Sequence, residues 1–217
     1  MNLGSVLKAT PGGAGITPTV PGTPYAGGFY AGRITIGGVA YALIVAPKAL
    51  GEASLIYRTS GAAFTGNTST NDGWLIRNNM IAEGIEDFPA QRACMALAIG
   101  GFRDWYIGAK DEMEVIYRNL KPSTTNNVTT SGINSSAIPP TASNYTTGNP
   151  ARTNDPAFRS AAGAQFFILD YYFTATQGPS GPTYVHGKRF TTGGDGEDLS
   201  LYDYNVRAIR KTPVVTA

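Results

Sequence analysis

The sequence predicts an α+β domain in which antiparallel sheets carry two flanking helices and long loops, and three observations lead there. Among 217 residues, 27 are Gly and 14 Pro, a content that favours strands, turns and loops over a helical bundle. Short β-branched and aromatic runs recur between glycine-rich connections, as strands in an antiparallel sheet do. The stretch Gly100 to Leu120, GGFRDWYIGAKDEMEVIYRNL, passes from strand through turn to helix within about twenty residues. At this length the chain can bury one good core or two small ones.

Taken in order, Met1 to Pro24 (with TPGGAGITPTVPGTP) is too rich in Gly, Pro and Thr to pack alone. It is a disordered tail or an arm that orders when docked on a neighbour, set apart from a domain over residues 25–217. Two β-branched runs around Gly37-Gly38 signal a hairpin, because the pair tolerates the positive φ of a tight turn. The second run, VAYALIVA, is nearly all apolar and should be a central strand, stopped by Pro47. GEASLIYRTS adds a short strand, and TGNTSTNDG, Thr65 to Gly73, reads as a loop.

Pro89 suits the first turn of a helix whose period runs through Ala90, Ala93, Cys94, Leu97 and Ala98 to Gly100-Gly101. Trp105, Tyr106 and Ile107 form a short buried strand. From Lys110, the residues Met113, Ile116, Tyr117 and Leu120 make one apolar helix face, with Asp111 and Glu112 at the positive end of the helix dipole and Arg118 at the other. Arg207 or Arg210, lying in an apolar strand, needs a carboxylate, and Asp111 or Glu112 is the expected partner.

Lys121 to Ala164 is dominated by Ser, Thr, Asn and Pro. It is either a floppy insertion or an excursion laid over the domain or a sister subunit. Its sequons at Asn127, Asn134 and Asn144 are the chance product of that composition. QFFILDYYFTAT, Thr183 to Phe190 and Tyr202 to Arg210 read as strands, and in the second Tyr184, His186, Lys188 and Phe190 alternate with Val185, Gly187 and Arg189. The first set is taken as an aromatic and polar face.

The block GGFRDWYIGAKDEMEVIY resembles the GG-x-x-DWYLP-[ST]-KDEL-x-x-[ML]-Y signature of the DUF1566 (Lcl C-terminal-like) domains. FPAQRACMALAIGG is similar to the helix that precedes it there, DYYFTATQ to the family's YWSSTE, and YNVRAIR to its closing Y-x-VR-x-[VI]R. The four blocks keep the family's order between about Gly27 and Arg210, although Gly108-Ala109 replaces the Pro-Ser turn and removes the usual hydroxyl N-cap. The resemblance implies a C-type lectin-like fold whose terminal strands build a ligand-facing surface. It also implies a place in phage virions or on bacterial surfaces.

The sequence offers little for catalysis. His186 is the lone histidine and reads as a surface residue, and no G-x-S-x-G or H-E-x-x-H motif is present, so triads and two-histidine metal sites lack their parts. The lone Cys94 reads as a small buried hydrophobe. A net charge of +2 gives no basic face for nucleic acid. No window is apolar enough for a membrane span, and no long apolar leader opens the chain, which leads to the expectation of a soluble protein made in a cytoplasm. Asp195, Glu197, Asp198 and Asp203 form either a calcium site or a solvated acidic turn; their spacing matches no calcium motif, and no cofactor or metal is expected.

These readings lead to a non-enzymatic virion protein assembled in the host cytoplasm: a tail-fibre or tail-tip adhesin, or alternatively a structural head or neck decoration protein. Its expected surface is Tyr172, Tyr184, His186, Lys188, Asp195, Glu197, Asp198 and Tyr202, facing a glycan or protein receptor on the host. The arm would join other virion proteins. Arm and excursion together would hold a homo-oligomer, a trimer by analogy with fibre-borne lectin-fold adhesins.

Overall fold

A computed structural model describes residues 15–161 and 163–216. The architecture is a large open sheet with few helices, and its hub is the longest strand, β10 (Asp203–Pro213). Main-chain order across the sheet is β1 (Pro24–Tyr25), β2 (Gly28–Ile36), β3 (Val39–Val45), β10, β7 (Tyr171–Gln177), β8 (Tyr184–Arg189) and β9 (Asp195–Leu199). Ile209 lies between Val45 of β3 and Tyr106 of β5 (Tyr106–Ile107), while Asn205 lies between Ser54 of β4 (Glu52–Ile56) and Tyr172 of β7. One half of β10 thus binds β3 and β5, and the other half β4 and β7. The β7–β10 pairing is parallel, so the sheet is mixed, where antiparallel sheets alone were expected.

The hairpin forms as its sequence dictates. Gly37 and Gly38 turn at φ of 57° and 81°, Ile36 opposes Val39, and β3 is central. Its alternation separates two cores: Ala42 and Ile44 pack on one face, Leu43 and Val45 on the other. Trp105 is sealed in the first core with its indole N–H donating to the Phe102 carbonyl, and Tyr106 points into the second. The second core is roofed by α4 (Lys110–Leu120), whose Met113, Ile116, Tyr117 and Leu120 are all buried.

Among the described residues there are three substantial helices rather than two, besides a single turn, α1 (Lys48–Gly51). The additional one, α2 (Gly73–Gly84), starts inside the polar run read as a loop, with the Asp72 carboxylate accepting from the Leu75 N–H. It buries Ile76 and Met80, one turn apart, in the first core. α3 (Pro89–Met95) ends one turn earlier than its period suggested. The absent N-cap hydroxyl of α4 is compensated by Glu112, which accepts from the Ala109 N–H (2.7 Å), the Gly73 N–H that opens α2 (3.0 Å) and the Tyr106 hydroxyl (2.7 Å).

Glu112 is therefore not the partner of an arginine. Arg207 instead donates to Glu52 (2.9 Å) and Arg210 to both oxygens of Asp104 (2.7 and 2.8 Å). The strand arginines do take carboxylates, but from β4 (Glu52) and from the segment leading into β5 (Asp104), while Glu112 is taken up by the starts of α2 and α4 and by the Tyr106 hydroxyl.

The excursion over 121–164 is ordered by its own domain, which corrects the premise that so polar a segment needs a neighbouring chain. Lys121 is buried and donates to the Thr125 and Pro150 carbonyls and to Asn127 Oδ1. Asn127 also accepts from the Tyr117 hydroxyl and donates to the carbonyls of Thr146, Thr147 and Pro150. Asn134 donates to Glu114 and to the Asp111 carbonyl, Tyr145 donates to Glu114, and β6 (Ala137–Ile138) extends the sheet beside β2. Two of the three sequon asparagines are thereby sealed in the fold. Of the N-terminal arm, residues 1–14 lie outside the described residues; from Gly15 on the strap lies on its own domain, the Thr17 N–H donating to the Val215 carbonyl.

Candidate functional site: a tyrosine-walled cleft on the β7–β10 sheet

The open face of β7, β8, β9 and the start of β10 holds a cleft of about 570 Å³. Its floor is a cross-strand glycine pair, Gly187 opposite Gly196. The Tyr171 ring lies on that floor: a Cβ at Gly196 would come within 2.6 Å of its hydroxyl, so only glycine admits the ring there. Tyr204 stands edge-on to Tyr171 with centroids 6.2 Å apart, and also packs against the buried Phe173 at 5.0 Å. Arg189 stacks over Tyr171 at 4.3 Å. Among the described residues it makes no ion pair.

Charge around the cleft is divided. Asp198 accepts the Tyr204 hydroxyl and the Leu199 N–H, and that hydrogen bond to Asp198, with some burial, pushes the Tyr204 phenol up to about 12. Asp170 accepts its neighbour's N–H at the rim and stays exposed. Two tyrosine edges, a stacked guanidinium and two carboxylates converge on one opening, a combination that supplies flat contact area and directional hydrogen bonds for a ligand.

The expected ligand face is the wrong face of β8. His186 (6 % exposed) and Lys188 (1 %) point inward toward α4, and the open face belongs to Val185, Gly187 and Arg189. The reason is an ion pair whose lysine is buried. The Lys188 ammonium reaches Asp195 and the Gly193 carbonyl, each at 2.9 Å, and lies near the Tyr117 and Tyr145 rings. Burial pulls Lys188 down against that carboxylate; burial acts upward on Asp195, yet Lys188 and His186 outweigh it and hold it low. His186 is no surface histidine, and burial pushes it down to about 4, so it is neutral at pH 7.

Tyr172 is also fully buried, donating to Glu52 (2.6 Å) and accepting from the Ile168 N–H. Tyr202 is 52 % exposed but sits in the turn before β10, outside the cleft, and Tyr184 is half-buried near Gly178. Of the eight expected residues only Glu197 and Asp198 border the cleft. The Glu197 carboxylate turns to the β7–β8 connection, where it accepts from Ser180. Asp195, Glu197 and Asp198 thus lie in strand β9 rather than in a turn and have separate partners, and among the described residues no group of three His, Cys, Asp or Glu side chains is placed to hold a metal ion.

Tyr171, Tyr204 and Arg189 were outside the expected set. The signal for them was Gly187: a glycine midway along a strand marks the face on which something approaches the backbone closely. Among the described residues no helix is long and apolar enough to cross a membrane. Comparisons of the chain with known protein families, curated proteins and solved structures found no match. The fold and the cleft define a mixed α/β protein with a large open sheet and an aromatic opening at its β7–β10 end.

Proposed function

We propose that this chain is a non-enzymatic receptor-binding component of a phage virion, of C-type lectin-like fold, that engages its host ligand through the Tyr171–Tyr204 cleft. The cleft is the observation that carries the reading: it offers stacking faces and hydrogen-bonding groups suited to holding a ligand. The four blocks that carry the family resemblance meet in the fold. Gln91 from the helix block accepts from the Ile107 N–H, Arg210 from the closing block binds Asp104, and the Ala175 N–H donates to the Gly108 carbonyl.

A second reading, a head or neck decoration protein, draws on the exposed Ile16 (63 %) and Val20 (65 %) of the strap, apolar side chains suited to burial against another virion protein. Homo-oligomerisation through the arm fits either role. Immuno-electron microscopy of intact particles tests both. Label at the tail tip supports the adhesin, label over the head supports decoration, and particles without label overturn the virion reading.

A further inference from the structure

On the other face of β8 lies a second cavity of about 450 Å³, at the start of α4. We propose that it binds a small hydroxylated carboxylate of about hexuronate size. The inference is independent of the adhesin reading, since the two openings share no side chain.

His186 is the first observation. It lines this cavity, is more than nine-tenths buried, and makes no hydrogen bond through its ring. Nδ1 is sealed from solvent without a partner, and Nε2 stands 3.7 Å from Asp195 Oδ1, beyond hydrogen-bonding reach. A sealed nitrogen is better left as a lone pair than as an orphaned N–H, which puts the proton of the neutral ring on Nε2. That N–H is a donor awaiting an acceptor.

Lys110 is the second. It lines the same cavity and makes no ion pair among the described residues. The groups facing His186 are Asp195 and Glu197 from β9, Lys188 on its own strand and Lys110 from α4. Asp195 is paired with Lys188 at 2.9 Å and Glu197 accepts from Ser180, so among the described residues Lys110 is the ammonium of this group without a carboxylate partner. Thr176, Pro179 and the Lys188-paired Asp195 complete the wall, and Thr68, Thr70 and Gln177 add groups that can both donate and accept. A carboxylate on Lys110 and His186, with ligand hydroxyls on the threonines and the amide, satisfies all of them.

Because His186 is the sole histidine, its ring resonances report this cavity alone. The probe is sodium glucuronate, added to untagged protein at pH 7, with glucose as the uncharged comparison. Glucuronate should shift the His186 ring signals with a millimolar-range dissociation constant and raise the ring's titration midpoint, since a bound anion favours imidazolium; glucose should bind at least about tenfold more weakly. Lys110→Ala, at the first position of its helix, should keep the melting transition and lose about tenfold in affinity. Tyr171→Ala should leave the shifts unchanged. Unmoved His186 signals, equal response to glucose and glucuronate, full affinity in Lys110→Ala, or loss of the shifts in a folded Tyr171→Ala would each overturn the assignment.

Discussion

Replacing Glu112 with alanine is the sharpest test of how the fold is held. The Glu112 side chain is fully buried, and its carboxylate is the shared acceptor for the first turns of α2 and α4 and for the Tyr106 hydroxyl. Removing it strands three buried donors, each costing roughly 1–3 kcal/mol if nothing replaces the acceptor. With Tyr106 free to re-aim its hydroxyl, the expected loss is about 4 kcal/mol, or about 8–16 °C in Tm for a domain of this size. Glu112→Gln keeps one acceptor oxygen and sets an amide against the remaining donors, so it should fall between. Burial pushes Glu112 up to about 7, so urea titrations followed by the fluorescence of Trp74 and Trp105 belong at pH 8, where the carboxylate is ionised. A Glu112→Ala protein within about 1 kcal/mol of the parent would refute this account of the helix starts.

Trp105→Ala should cost about 3–5 kcal/mol in the same titrations, because it empties a sealed position of the first core. Asp104→Asn loosens the two-bonded grip on Arg210; as Asp104 is partly exposed, the loss should be about 1–2 kcal/mol and should diminish in high salt. For His186 the sign runs one way: its pKa is about 4 in the folded protein against 6.5 unfolded, so the unfolded chain binds the extra proton between those values. The contribution of His186 is therefore full above about pH 6.5 and falls by up to about 3 kcal/mol as pH drops toward 4, a slope that His186→Gln should remove. Glu112, raised to about 7 from 4.5, acts in the opposite direction over much of this range, so the readout is the difference between parent and His186→Gln, and a difference that stays flat from pH 6.5 to 4 would count against the buried neutral ring.

Local patterns made much of the fold legible. The glycine pair of the β2–β3 hairpin, the apolar stripe of α4 and the short strand after Trp105 each depend on residues within a turn or two of one another; the first two formed as read, and the strand covers Tyr106–Ile107 with Trp105 buried just before it. What depended on distant partners was hidden. Nothing in Tyr171–Gln177 announces a parallel neighbour, and the choice of Glu52 and Asp104 for the arginines follows from which strands flank β10. α2 was masked because its cap, Asp72, sits within a run of turn-forming residues and only Ile76 and Met80 mark its inner face. For β8 the alternation was legible but its phase was not: a buried Lys188 paired with Asp195 looks, in sequence, like a solvent-facing charge. The excursion is ordered by side-chain amides bonding to carbonyls, which leaves no periodic trace.

Binding of fluorescently labelled protein to cells of the host bacterium, measured by flow cytometry, tests the central claim most directly. The parent should bind saturably. Tyr171→Ala and Arg189→Ala, which remove a cleft wall and the guanidinium stacked on it, should each retain the fold and weaken binding by about tenfold or more. Saturable binding that survives both substitutions unchanged, or no saturable binding by the parent, would contradict the cleft's role as the receptor site.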